Sequence, residues 1–392
     1  MTPVVVVGAG PVGLSAALAL RARGREVVLL EADPEDRERP GSRALFVHRE
    51  TLALLDAMRP GLAGEITAYG QTWRTRRTLY RGREVYSRTY PPHRPKEGPP
   101  PFTSLRQVDT ERFLRAACER AGVEFAWEAR VLGVRTTATG VWLGCGDGRE
   151  WSCEYAVAAD GARSAVRGAL GIAMEGERGE GFHVVVDVAH APGAEPPPER
   201  IFHYEHPGVG GRSVMQVPFT GGFQVDLQCR DDDLEEEFGT EEAVRRWLPA
   251  VVGEGYGERV LWVSTYRFLR KVAASFTDPH RRVLLVGEAA HLFPPFGARG
   301  MNSGIADAAA AAAAIAAGTV EDFADVRRSA ALFNSAAAGT ALDHLRPRRR
   351  IVRARQRAAA ALAPVLPWCG AWLEHAPYGP RHGAPVNAGL KY

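Results

Sequence analysis

The 392 residues carry 49 Lys and Arg against 46 Asp and Glu, a formal net charge of +3, with 45% hydrophobic and 24% charged residues. That near-balance argues against nucleic acid as a partner, and the apolar fraction describes an ordinary globular chain of two or three domains. Five scattered cysteines (Cys118, Cys145, Cys153, Cys229, Cys369) form no CxxC pair, so neither a disulfide framework nor a metal site is expected, and a cytoplasmic setting is.

The chain opens on a strand-like run, Val4-Val5-Val6-Val7, that drops into Gly8-Ala9-Gly10-Pro11-Val12-Gly13, a helical stretch over about 11–23 and a second strand over 27–31. The three glycines differ in what they permit. Gly8 allows a tight turn, Gly10 lets backbone approach a pyrophosphate, and Gly13 lets the helix pack close to the sheet. The helix start offers free N–H groups and a positive dipole end to phosphates. Glu31 closes the second strand, where a carboxylate can accept hydrogen bonds from an adenosine ribose. An adenine dinucleotide is therefore the expected ligand.

A helical stretch follows near 48–58, then strand-like alternation in Thr72–Tyr80 and Arg83–Tyr90. The proline-rich stretch 91–101 is expected to be an irregular loop. Asp109 or Thr110 should cap a helix running to Arg120, with short strands near 123–127, 130–135, 140–145 and 155–159. Beyond 182 the text turns β-rich, in His183–Ala189, Ile201–His206, Ser213–Phe219 and Phe223–Cys229. An acidic turn over 231–237, a helix around 241–251 and a strand over about 259–268 come next.

Val283–Val286 then reads as a buried strand leading into a second glycine-rich loop and an Ala-rich helix starting near Gly300. From 322 to about 375 the pattern is helical with proline breaks. The longest apolar helical run, 308–317, is too short for a bilayer, so no membrane association is expected. Trp73, Trp127, Trp247, Trp368 and Trp372 read as core anchors, and the arginines of 346–355 as a solvated helix face.

Three blocks carry a resemblance: the amino-terminal fingerprint, Ala159-Asp160-Gly161-Ala162-Arg163-Ser164-Ala165-Val166-Arg167, and Gly287 to Gly304 with Glu288-Ala289-Ala290-His291 and Pro294-Pro295 inside it. In them the chain resembles the class A flavin monooxygenases, the para-hydroxybenzoate hydroxylase family, particularly the branch acting on phenols and aromatic polyketides. The resemblance implies an α/β fold. A Rossmann-like FAD-binding domain of the glutathione-reductase type (1–71, 102–175, 277–325) would be interrupted by a β-rich substrate domain (72–101, 176–276). C-terminal helices (326–392) would follow, with no room for the thioredoxin-like domain of larger relatives.

The resemblance further implies FAD as cofactor, NADPH or NADH as co-substrate, and O2 and an aromatic small molecule as partners, in a monomer or homodimer. Cofactor-binding positions carried over are Gly8, Gly10, Gly13, Glu31, Arg43, Gln107, Asp160, Glu288, Gly300, Met301 and Asn302. Glu288 stands where the family usually has Asp on the ribityl chain. The Met301 and Asn302 N–H groups, at a helix start, would face the flavin pyrimidine edge, whose charge grows on reduction. Backbone at Pro295 and Gly297 would face the flavin C4a, where a hydroperoxide would form and hydroxylate the ring.

Substrate residues are less legible. Candidates are His203, Tyr204 and His206 on one strand, Arg212 and Gln216 on the next, and Arg267, although each also fits a plain sheet-surface residue. No general base for a phenol stands out, and His291 reads as packing within the flavin motif. Baeyer–Villiger or epoxidising chemistry, an FAD-dependent reductase, and a non-catalytic FAD-binding accessory protein remain open alternatives.

Overall fold

The computed structural model describes residues 3–37, 45–193, 195–346 and 350–380. Arg43 lies outside the described residues.

Val4–Val7, Val27–Leu30, Ala156–Ala158 and Val283–Leu285 contain only apolar residues and are buried along their whole length. Side chains buried on both faces are the mark of a covered parallel sheet. These strands and Glu124–Ala126 form one, in the spatial order 283–285, 156–158, 4–7, 27–30, 124–126, every pair parallel. The helices Pro11–Arg21, Gln107–Arg120 and Arg299–Ala317 contribute to the same apolar core.

The β-rich text builds an eight-stranded sheet. Its order is His291–Leu292, Val260–Ala273, Met174–Ala189, Gly222–Gln228, Arg212–Phe219, Glu199–His206, Thr75–Tyr80, Arg83–Thr89. All neighbours are antiparallel except Glu199–His206 with Thr75–Tyr80. His291–Leu292 comes straight after the second glycine-rich turn, so this sheet is hydrogen-bonded to the segment carrying that motif.

Alternation gives the sheet two faces. On one, Val184, Val186, Val188, Val214, Val225 and Leu227 pack with Trp247 and Leu248 of the helical stretch Glu241–Val252. The opposite face carries His183, Val185, Asp187, Met215, Gln224, Asp226 and Gln228, and it turns toward the glycine-rich loop. Phe202 and Tyr204 share that face, but pack with Leu345, Cys369 and Leu373 of the C-terminal helices.

Several boundaries differ from the sequence reading. The helix expected to be capped by Asp109 or Thr110 begins at Gln107, and Asp109 sits inside its first turn, accepting from Tyr69 Oη at 3.0 Å. Glu235–Phe238 within the acidic run forms a short helix, and Pro95–Glu97 forms one 3₁₀ turn in the proline-rich loop. Strands Glu150–Cys153, Phe46–His48 and Phe102–Ser104 were not foreseen, the last two being too short for a readable alternation. Trp368, expected in the core, is 68% exposed, whereas Trp73 and Trp247 are buried. No helix among the described residues is long and apolar enough to cross a membrane.

Candidate functional site

The first glycine-rich loop separates packing glycines from an open one. At Gly8 φ is +102°, and an added Cβ would stand 2.5 Å from the Ala159 carbonyl oxygen; at Gly13 it would stand 1.8 Å from the Gly8 oxygen. At Gly10 it would meet no atom of the described residues within 4 Å. Gly10 is extended, Pro11 starts the helix, and no side chain caps it. A helix N-terminus with free N–H groups therefore opens onto vacant space.

Glu31 lies against this loop, buried, with Oε2 accepting the Ala9 N–H at 2.6 Å. Its Oε1 pairs with Arg37 Nη1 at 2.7 Å, and Arg37 Nη2 donates to the Ala9 carbonyl at 2.9 Å. Arg37 also reaches Glu111 at 3.9 Å, and Gln107 Nε2 donates to Glu111 at 3.0 Å. Gln107 thus joins the rim of the same loop. Arg37 was missed because it comes from an irregular segment with no motif of its own.

The second loop brings another helix start to the same place. An added Cβ on Gly304, one turn into Arg299–Ala317, would stand 2.5 Å from Val12 Cγ2 and 3.0 Å from Gly287 Cα. Val12 lies one residue into the first helix, so the two N-termini open side by side. The chain enters the second helix through two left-handed residues, Gly297 (φ +77°) and Ala298 (φ +52°), and no side chain caps it. Gly300 borders open space. Pro295, Gly297 and Met301 are half-buried, Asn302 is buried, and Glu288 is exposed on the turn Gly287–Ala289.

Behind this loop lies a buried ion network. Asp307 accepts from the Gly287 N–H at 3.1 Å, from His291 Nε2 at 2.6 Å and from Arg327 Nε at 2.7 Å. His291 is therefore engaged in holding the turn. Asp160 uses both carboxylate oxygens locally, accepting from Ser164 Oγ at 2.6 Å and the Val166 N–H at 3.0 Å, and burial pushes its carboxyl up. Arg167 Nη1 donates to the Ala289 carbonyl at 2.9 Å, tying this second block to the third.

The substrate candidates fall on both faces of the sheet and at its turns. His203 and Gln216 are register neighbours of Val214 and Val225, on the face away from the loop, and His203 Nε2 accepts the Gly82 N–H at 2.9 Å. Arg212 pairs with Asp233 at a turn, with Nε to Oδ2 at 2.7 Å. Tyr204 points to the loop-side face, but its hydroxyl is taken up by His344 Nε2 at 2.8 Å and the Leu373 carbonyl at 2.7 Å. Arg267 is exposed and paired with Glu235.

The side chains that do face the loop were missed. The His183 ring lies 5.1 Å from that of Phe296, which sits between Pro295 and Gly297. Met215 packs against two apolar clusters, one that includes Phe296 and one that includes Trp73 with Phe46 beside it. Between them stands Asp226, opposite Val185 and Met215, with Asp187 and Gln224 one register step along. Burial, then the Asp187 charge, pushes the half-buried Asp226 carboxyl up to about 7. Burial pushes Asp187 to about 6, and His183 is pushed down to about 3 by burial and then Arg346. The readable signal was parity: polar residues at 183, 187, 224, 226 and 228 alternate with Val184, Val186, Val225 and Leu227.

The model of a family described as an FAD binding domain matches residues 1–323. The chain belongs to the FAD-binding family of class A flavin monooxygenases. It is 28% identical over 314 residues to a 3-(3-hydroxy-phenyl)propionate/3-hydroxycinnamic acid hydroxylase of Mycobacterium sp. (strain JLS), covering 79% of this chain and 52% of the relative. It is 30% identical over 316 residues to the 6-methylpretetramide 4-monooxygenase of Streptomyces rimosus, covering 78% and 54%. The chain thus spans about half the length of these relatives.

Among solved structures, the p-nitrophenol 4-monooxygenase of Pseudomonas putida DLL-E4 superposes with TM-score 0.77 at 23% identity, over 97% of this chain and 99% of that one. A ternary complex of aklavinone-11 hydroxylase with FAD and aklavinone gives 0.73 at 25% identity, over 88% and 69%.

FAD fits what this chain presents. The space over Gly10 and Gly300 is open, both helix starts lack side-chain caps, and a buried acid, Glu31, stands beside the first. A dinucleotide with a pyrophosphate at one helix and a ring whose charge grows on reduction at the other matches both dipoles.

Proposed function

We propose that this chain is an FAD-dependent, NAD(P)H-consuming monooxygenase that hydroxylates an aromatic small molecule, phenolic or polyketide-like. The reading is carried by one observation: two uncapped helix N-termini meet at Val12 and Gly304, and a sheet face lined with aromatic and polar side chains covers the second.

Bound FAD would supply the oxygen activation, taking a hydride from NAD(P)H and passing one atom of O2 to the ring. Gly8, Gly10 and Gly13 with Glu31 and Gln107 would hold its adenosine and pyrophosphate end, and Gly300, Met301 and Asn302 its pyrimidine edge. Glu288, on the turn between them, would reach the ribityl chain. Asp160 and Arg167, linked to the Ala289 carbonyl, would brace the phosphate side. Phe46, Met215, Trp73 and Phe296 form an apolar surround that excludes water from the reacting centre, which suppresses wasteful peroxide release.

The test is direct. Purified protein should bind FAD, and an aromatic substrate should accelerate NAD(P)H oxidation with matching oxygen uptake, the product gaining one oxygen atom on an intact ring. Protein that folds yet refuses FAD, or NAD(P)H oxidation that no aromatic stimulates, would end this reading.

A further inference from the structure

Two carboxyls stand diagonally on the sheet face that meets the 293–302 loop. Asp187 pairs in register with Gln224, and Asp226 follows Gln224 by two residues on the same strand and face. Diagonal positions on an antiparallel pair are about 7–8 Å apart, within reach of a shared ligand atom. Gln224 Nε2 donates to Asp187 Oδ1 at 2.8 Å. Asp187 Oδ2, on a side chain only 1% exposed, has no hydrogen-bond partner among the described residues. Nor has Nε2 of Gln228, a residue 6% exposed and two positions beyond Asp226.

Buried polar atoms are nearly always satisfied, so an open carboxylate acceptor and an open amide donor on one face mark a place that a ligand completes. The cluster is not a structural ion pair. None of the ion pairs among the described residues includes Asp187 or Asp226. The charged groups that face them are Arg106, from the loop before Gln107–Arg120, acting on Asp187, and Arg346, acting on His183 at the loop end of the strand.

We propose that Asp187 and Asp226 are the proton-accepting wall of the ring-substrate pocket, taking the proton of a phenolic hydroxyl and selecting neutral or cationic aromatics over aromatic carboxylates. The proposal rests on the reading of the chain as an aromatic hydroxylase.

The chemistry balances within the pair. With Asp226 pushed to about 7 and Asp187 to about 6, the two hold about one proton between them near pH 6.5 and about half a proton at pH 7. The substrate O–H breaks, its electron pair stays on the phenolic oxygen, and the new O–H forms on the ionised carboxyl. The resulting phenolate enriches the ring toward an electrophilic oxygen; as the product rearomatises, the acid returns its proton to the ring oxygen and the C–H bond at the newly oxygenated carbon breaks, its proton leaving to water. A substrate carboxylate placed against this wall would add a further negative charge to a buried acid pair, which disfavours it.

The experiment uses the FAD-loaded protein and three probes sharing one ring: 3-(3-hydroxyphenyl)propionate, its methyl ester, and 3-(3-hydroxyphenyl)propylamine. Binding is read from the flavin absorbance change, and turnover from ring-stimulated NAD(P)H oxidation. The ester and amine are expected to bind on the order of tenfold tighter than the carboxylate. Asp226→Asn should erase the amine preference and flatten the rise of kcat/KM between about pH 6 and 8. Asp187→Asn should reduce the preference in the same direction, and it carries the test alone if Asp226→Asn fails to retain FAD.

A carboxylate that binds best, with turnover intact, overturns the acid wall and leaves the hydroxylase reading standing. Wild-type ranking and pH profile in both variants do the same. Selective ring binding with no ring-stimulated oxidation overturns the hydroxylase reading and, with it, the proton-accepting step.

Discussion

Asn302 joins the second glycine-rich helix to the strand Phe46–His48. Its Nδ2 donates to the Phe46 carbonyl at 2.9 Å and to the Ala298 carbonyl at 2.7 Å, and its Oδ1 accepts the His48 N–H at 3.0 Å. The side chain is 1% exposed, so no water replaces these bonds. Asn302→Ala should cost about 1–3 kcal/mol, the penalty for leaving buried backbone groups unpaired. Because the same bonds fix Phe46 beside the second glycine-rich loop, FAD affinity should fall at least about tenfold. Denaturant unfolding and flavin fluorescence titration check the two effects separately.

The glycines of the first loop should divide between stability and binding. Gly13→Ala places a Cβ 1.8 Å from the Gly8 oxygen, a backbone atom that cannot step aside. It should lower stability by about 3 kcal/mol, the upper end of overpacking costs, in apoprotein and holoprotein alike. Gly10→Ala meets no atom of the described residues within 4 Å, and its φ of −75° suits any residue. The apoprotein should keep its unfolding midpoint while FAD affinity drops at least about tenfold, since the methyl occupies space over the helix start. Equal destabilisation by both substitutions would contradict the assignment.

What could be read in the sequence was whatever one residue type must do alone. Gly8, Gly10, Gly13 and Glu31 sit at fixed offsets in a strand–turn–helix–strand unit, and sterics allow little else there. Asp187 and Asp226 depend instead on pairing. His183–Ala189 looks like an apolar run with one acid, and that acid gains meaning only when the register Val185 to Asp226 brings the second strand beside it. The surroundings of Tyr204 were illegible for the related reason that its part of the face is covered by helices about 140 residues later in the chain, at His344. Arg37 meets Glu31 through an irregular segment whose course no periodicity encodes.

Ala298 holds φ at +52°, a left-handed conformation that costs a residue with a Cβ about 1 kcal/mol or more. Glycine adopts it freely but gives back part of the gain through a more disordered unfolded chain. Ala298→Gly should therefore stabilise the protein by about 0.5–1 kcal/mol, read as a higher denaturant midpoint at unchanged slope. FAD affinity should hold or improve, because the helix start at Arg299 keeps its geometry. A lower midpoint would show that the Ala298 methyl packs usefully.

Acid should loosen the second glycine-rich loop through Asp307. Burial alone would raise its carboxyl, but Arg327 and then His291 outweigh burial and hold it below the usual carboxylate range. A group whose folded pKa is depressed contributes stability above its unfolded pKa, about 3.9, and loses that contribution as pH falls through the folded value. The wild type should lose stability steeply below about pH 4. Asp307→Asn should lack this component of the acid limb, yet cost about 3–5 kcal/mol near neutrality, because the buried Arg327 charge then faces a neutral amide. The Gly287 N–H and His291, both held by the same carboxylate, would lose their anchor, so FAD should dissociate before global unfolding. Parallel pH titrations of flavin fluorescence and far-ultraviolet circular dichroism distinguish this from a uniform acid transition, in which the two signals would fall together.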